Sequence, residues 1–76
     1  MIFHTIGGST YEVNSDKKQF RRLAGQRKSL IGKDGEFNNY ILCNIKVNEE
    51  ALFFLESSDP HRAPYLRTSI VKYIEE

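Results

Sequence analysis

The sequence predicts a mainly β fold, either a small antiparallel β-barrel or a strongly curved sheet of five to six strands. At most one short helix is expected, so an α+β arrangement stays open. Three observations lead to this prediction. Short segments alternate apolar and polar residues, clusters of Gly, Pro, Asn, Asp and Ser separate these segments, and the last segment is rich in β-branched residues. Seventy-six residues predict one domain spanning 1–76.

The first two strands are predicted to form a hairpin. "MIFHTI" at 1–6 alternates like a strand, and a second alternating segment runs from Thr10 to Val13. Gly7 and Gly8 lie between them and can adopt positive φ at low cost, which favours a tight turn. "NSD" at 14–16 then marks the next turn.

The segment "KKQFRRLAG" at 17–25 fits two structures. Phe20, Leu23 and Ala24 have helical spacing, and Asp16 and Gly25 suit the two ends of a short helix. A strand would place Phe20 and Arg22 on one face, which is a poorer pattern. The spacing therefore slightly favours a helix, whose outward face would carry Lys17, Lys18, Arg21 and Arg22.

The clearest element is a predicted hairpin that follows a loop at 26–39. "YILCNIKV" at 40–47 is a strand, "NEE" at 48–50 a turn, and "ALFFLES" at 51–57 the returning strand. The apolar face of the first strand is predicted to consist of Ile41, Cys43, Ile45 and Val47. Phe53 and Phe54 must point to opposite faces, so one of them is expected at the surface or at an interface.

The chain closes with a loop and a strand. "SSDPHRAP" at 57–64 contains two prolines that break regular structure. "YLRTSIVKYIEE" at 65–76 reads as a strand because of its β-branched residues. A helix from Ser69 onward also fits the spacing of Ile70, Tyr73 and Ile74.

Several protein classes are excluded or not expected. The single cysteine, Cys43, cannot form an internal disulfide and is expected to be a small buried side chain. The N-terminal sequence lacks the features of a signal peptide, and the longest strongly apolar run, "ALFFL", is too short to cross a bilayer. We therefore expect a cytoplasmic protein, in the host cytoplasm if a phage encodes it.

The basic residues are concentrated in one segment. Between Asp16 and Lys33 the local charge is +6, so the rest of the chain carries −5 of a total of +1. This polarity predicts an anionic partner, either a nucleotide or a nucleic acid; a solvated surface or an acidic protein partner are the alternatives. The candidate phosphate-binding residues are Lys17, Arg21, Arg22, Arg27, Lys28 and Lys33.

Two tyrosines are candidates for stacking on a nucleotide base. Tyr65 lies near Arg62 and Arg67, and Tyr40 follows the basic loop; an aromatic ring beside an arginine can bind a base and its phosphate. We expect most of the other aromatic residues to fill the core. "GKDGEF" at 32–37 could bring amides close to a phosphate but does not match a nucleotide-binding P-loop.

Neither catalysis nor a cofactor is predicted. His4 and His61 have no second ligand at useful spacing, so no metal site is expected. Asp59, His61 and the adjacent serines have the composition of a catalytic triad but no surrounding structure to orient them. We therefore expect a non-enzymatic protein without a cofactor.

The two ends of the chain resemble small proteins of bacteriophages and mobile elements. The resemblance rests on the first strand, "MIFHTIGGSTYEV", and on the last, "RTSIVKYIEE". It implies a compact β domain without catalysis, of the kind that acts as a counter-defence factor and often forms homo-oligomers. Such a protein would sequester a nucleotide signal or, alternatively, inhibit a host protein through a β edge or an aromatic patch that includes Phe53 or Phe54. The resemblance transfers no site residue.

Overall fold

A computed structural model describes residues 1–25, 33–55 and 64–76 of the chain. These residues form six strands in a closed antiparallel barrel, in which each strand pairs with its sequence neighbours and the last pairs with the first. The predicted mainly β class is confirmed, and the described residues contain no helix. The strands are β1 (Ile2–Thr5), β2 (Thr10–Asn14), β3 (Gln19–Ala24), β4 (Asn38–Asn44), β5 (Glu50–Leu55) and β6 (Tyr65–Glu75).

The predicted first hairpin is confirmed. β1 pairs with β2 through Phe3 and Tyr11, and the turn closes with the Gly8 amide donating to the Thr5 carbonyl at 3.1 Å. Gly8 has a φ of 88°, a conformation that a side chain would disfavour. The next turn, after β2, places Lys18 at a φ of 51°.

Residues 19–24 form strand β3, so the expectation of a helix over 17–24 is wrong. β3 pairs with β2 along its full length, with Phe20 opposite Val13 and Arg22 opposite Tyr11. Its first two residues also pair with β4. The spacing of the apolar residues favours a helix, but the two ladders pair the backbone amides and carbonyls of β3, and Phe20 is completely buried. Tertiary packing of this kind overrides local helix preference.

A bulge in β4 changes the predicted apolar face. The pairing with β5 shifts between Tyr40 and Leu42, and the extra residue of a bulge reverses which side chains point inward. Tyr40 is consequently buried, whereas Ile41 and Val47 are exposed. Of the predicted face, only Cys43 and Ile45 pack against the core.

Strand β6 closes the barrel, and the alternative helix from Ser69 does not form. Its first half pairs with β5 and its second half with β1. β6 has one extra residue where its pairing with β5 shifts between Glu50 and Leu52. At this bulge the Ala51 amide donates a hydrogen bond to the Thr68 hydroxyl at 3.2 Å. His4 strengthens the closure, because its ring stacks on Tyr73 and its Nε2 lies 2.8 Å from the Glu75 carboxylate.

Aromatic rings fill the interior of the barrel. Phe53 lies at the centre, with its ring 3.9 Å from that of Phe20, 5.7 Å from Tyr40 and 6.2 Å from Phe3. Tyr11 stacks on Phe3 at 5.0 Å. Side chains thus occupy the inside of this small barrel, and binding surfaces have to be sought on its outside.

Candidate functional surfaces

The strand conformation of β3 separates the two arginines that the sequence placed together. Successive side chains of a strand point to opposite faces, so Arg21 lies outside the barrel and Arg22 lies inside. Arg21 donates from Nε to Glu12 at 2.6 Å, and its guanidinium lies 4.5 Å from the centre of the Phe37 ring. Arg21 is therefore engaged with its own chain on two sides.

Arg22 is a buried cation at one end of the core. Its Nε donates to Asp34 at 2.6 Å, and only 8% of the surface of the residue is exposed to solvent. Its carbonyl accepts the Gly35 amide at 2.8 Å, so β3 and the segment 33–35 are joined by both side chain and backbone. Arg22 therefore already has a carboxylate partner, and a phosphate at this guanidinium would have to compete with Asp34.

The surroundings of Arg22 are also tightly packed. A Cβ at Gly25 would come within 2.6 Å of its guanidinium, which explains why glycine follows β3. The neighbouring Tyr11 is buried, and this burial raises the pKa of its phenol, while the Arg22 charge opposes the shift. Arg22 thus belongs to the packed end of the barrel.

The remaining predicted phosphate-binding residues are of two kinds. Lys17 and Lys33 are exposed and lie in the turn after β2 and in the segment before β4. Arg27 and Lys28 lie outside the described residues, as do Arg62, Asp59 and His61.

The two candidate stacking tyrosines have different environments. Tyr40 is a core residue with 7% exposure, its ring edge against Phe53; burial raises the pKa of its phenol, and so does a hydrogen bond with Cys43. It offers no free face to a base. Tyr65 is 41% exposed, and the Arg67 guanidinium lies 5.8 Å from the centre of its ring.

The topology does not bring the predicted site residues together. The barrel order is β1 to β6 in sequence, so β3 and β6 are three strands apart around a six-strand ring. Arg21 and Lys17 consequently lie on the opposite side of the barrel from Tyr65 and Arg67. The predicted phosphate and base subsites are two separate surfaces.

A groove on the described surface lies mainly across β5 and β6. This groove has a volume of about 780 Å³. We call its lining the groove face. The apolar members of the groove face are Ile6, Leu52, Phe54, Tyr65 and Ile70. Four of these side chains are among the exposed large hydrophobic residues of the protein, with Leu52 half-buried.

The polar members of the groove face give it a slightly acidic character. They are Asn44, Asn48, Glu49, Glu50, Arg67 and Ser69. Arg67 lies 3.8 Å from the Glu50 carboxylate, and Glu49 adds a second carboxylate to the lining. An apolar groove with a small excess of negative charge suits an apolar, partly basic partner better than a phosphate.

Sequence reasoning found part of the groove face. The expectation that one of the two adjacent phenylalanines is exposed is confirmed, with Phe53 at 0% and Phe54 at 40%. Ile6 and Ile70 were missed: Ile6 continues the outward alternation of β1, whereas the exposure of Ile70 depends on the bulge in β6. The sequence signal for this surface was the alternation in β5, which places Leu52 and Phe54 on the same outward face.

Within the described ranges, no helix is long and apolar enough to cross a membrane. In the same part of the chain, no three His, Cys, Asp or Glu side chains are grouped so that they could hold a metal ion.

Comparisons with protein-family models, curated proteins and solved structures found no match for this chain.

Proposed function

We propose that this chain is a non-catalytic binding domain that docks a protein partner on its groove face. The observation that supports the proposal is that Phe54, Tyr65 and Ile70 are exposed and line one groove on the outside of a barrel whose core is already filled. Soluble proteins rarely expose large side chains together without a binding role. A host protein is the partner class that the resemblance to phage-type accessory proteins implies.

The groove face defines the chemistry of this partner. Phe54 and Tyr65 lie with ring centres 6.5 Å apart and offer an aromatic surface to an aliphatic or aromatic side chain. Glu49 and Glu50 at the rim favour a lysine or arginine on the partner. The expected ligand is therefore a protein segment that combines apolar anchors with one or two basic residues.

A peptide-display selection tests the proposal. The immobilised wild-type domain is the target, and Phe54→Asp serves as a counter-target, because an exposed side chain can change without loss of the core. The matched control is Phe37→Asp, which alters an exposed phenylalanine outside the groove face. We expect apolar, basic peptides that bind the wild type and Phe37→Asp but bind Phe54→Asp at least about tenfold more weakly.

Two results would contradict the proposal. One is the enrichment of peptides that bind Phe54→Asp as well as the wild type. The other is peptide binding that is lost altogether at high salt, since the apolar anchors should still bind when the charges of Glu49 and Glu50 are screened.

A phosphate-bearing ligand is the second candidate, favoured by the exposed Tyr65–Arg67 pair. Its aromatic ring and guanidinium could hold a base and a phosphate, although Glu50 competes for Arg67. A thermal-shift panel at low salt, with oligonucleotides, cyclic nucleotides and ADP-ribose-type compounds, tests this candidate by mass action. Arg67→Glu should abolish a shift at this pair, whereas Lys17→Glu should abolish a shift that arises from the basic segment on the other side of the barrel.

A further inference from the structure

Strand β4 has an edge that its neighbour β3 does not cover. β3 pairs only with Asn38 and Asn39, and the Tyr40 amide still donates to the Lys18 carbonyl at 2.9 Å. Beyond Tyr40, β4 keeps its ladder with β5. Among residues 1–25, 33–55 and 64–76, no backbone group pairs with the other side of Ile41–Asn44.

The uncovered edge carries two of the most exposed aliphatic side chains of the protein. Ile41 is 56% and Leu42 is 62% exposed, because the bulge turns both of them outward. No charged residue occurs between Asn38 and Ile45. Edge strands are ordinarily protected from pairing by charges such as lysine, and this stretch has none.

We propose that this uncovered edge of β4 pairs with the same edge of a second copy of the chain. A two-fold axis perpendicular to the sheet places two identical strands antiparallel, so that unpaired amides and carbonyls of one copy meet those of the other. Ile41 and Leu42 then pack against their counterparts. An uncharged edge has no charge pattern to select a different partner, whereas its apolar residues and its hydrogen-bonding groups complement themselves.

The expected dimer is weak. Four residues per copy bury much less than the ~1,200 Å² at the lower limit of stable interfaces, so association should appear only at high protein concentration. Leu42 lies opposite Phe54 in the β4–β5 ladder, and Asn44 also lines the groove, so this edge borders the groove face. The dimer would thus bring the two groove faces close to its interface.

Analytical ultracentrifugation from micromolar to millimolar protein, combined with hydrogen exchange of backbone amides, tests the proposal. We expect reversible dimers and slower exchange of the Ile41–Asn44 amides as concentration rises. Leu42→Lys and Ile41→Lys should each weaken dimerisation by about tenfold or more, since each places like charges opposite one another. Leu23→Lys, at an exposed position of β3, is the matched control and should dimerise like the wild type.

Three results would overturn the proposal. They are a wild type that stays monomeric throughout, a dimer that Leu42→Lys and Ile41→Lys leave intact, and a dimer in which exchange at Ile41–Asn44 does not slow. The exchange measurement needs no variant, so it decides the question even if a substitution disturbs folding. Dimerisation that Phe54→Asp abolishes while these lysine variants preserve it would assign the interface to the groove face and contradict the proposal.

Discussion

Phe53 and Phe54 are identical neighbours with opposite surroundings. Phe53 packs against the rings of Phe3, Phe20 and Tyr40 at the centre of the core. Phe54 lies on the groove face, with the Tyr65 ring 6.5 Å away. The period of two along a strand thus assigns one side chain to stability and the other to binding.

Truncation of each phenylalanine should separate these roles. Phe53→Ala removes buried surface and leaves a cavity, which costs about 3–5 kcal/mol in cores and could unfold so small a domain. Phe54→Ala should change the free energy of unfolding by less than about 1 kcal/mol, as is usual at exposed positions. Urea unfolding measures both values, with Phe53→Leu as a milder core substitution. Similar losses for the two alanine variants would contradict the assigned faces.

At the bulge in strand β6, a side-chain hydroxyl accepts a backbone hydrogen bond in place of a carbonyl oxygen. Where its ladder with β5 shifts, the buried Thr68 hydroxyl accepts from the Ala51 amide and donates to the Ser69 carbonyl at 2.8 Å. Ala51 is fully buried, so its amide has no access to water. The bulge is therefore tolerated because a threonine occupies position 68.

Substitution of Thr68 should reveal this function of its hydroxyl. Thr68→Val keeps the shape but leaves a buried amide unsatisfied, which costs about 1–3 kcal/mol and, for a domain of this size, about 4–8 °C in melting temperature per kcal/mol. Thr68→Ser keeps the hydroxyl and loses only a methyl group, worth about 0.8 kcal/mol. Calorimetric melting compares them. A valine variant at least as stable as the serine variant would show that the hydrogen bond contributes little.

Charge in this molecule is distributed through the fold rather than gathered into one site. The basic segment meets acidic residues from other parts of the chain, as Arg21 pairs with Glu12 and Arg22 with Asp34. The groove face on the far side of the barrel is slightly acidic. The strong polarity along the sequence is thus partly cancelled by folding, which weakens the argument for an anionic partner at β3.

Alkaline pH should destabilise the barrel through its buried tyrosines. Burial raises the pKa of Tyr11 and of Tyr40 above 10. In this range the folded state holds more protons than the unfolded state, so their contribution is fully present below pH ~10 and is lost as pH rises through the folded pKa. Tyr11→Phe should therefore reduce the loss of stability above pH ~10, as measured by urea unfolding across this pH range.

Tyrosinate absorbance during an alkaline titration gives an independent measurement. Two of the four tyrosines should ionise late, together with unfolding, and the Tyr11→Phe variant should lose one of them. Lysine ionisation falls in the same range but is common to all variants. Ionisation of Tyr11 at the ordinary pKa of tyrosine, about 10, would contradict its burial.

The amino-acid sequence by itself determined the fold class, the first and central hairpins, the final strand and the exposure of one of the two phenylalanines. These features follow from alternation and turn residues, which are local properties of the chain. Tertiary structure alone decided that residues 19–24 form a strand, since their local spacing suits a helix and only the ladder with β2 distinguishes the two.

Tertiary structure also decided the surfaces available for binding. Bulges in β4 and β6 reversed the alternation, which buried Tyr40 and exposed Ile41. The partner of Arg22 is Asp34, twelve residues along the chain, and no spacing rule joins them. A sequence pattern reports which side chains share a face of one element, whereas burial depends on which elements meet, and that is fixed only when the barrel closes.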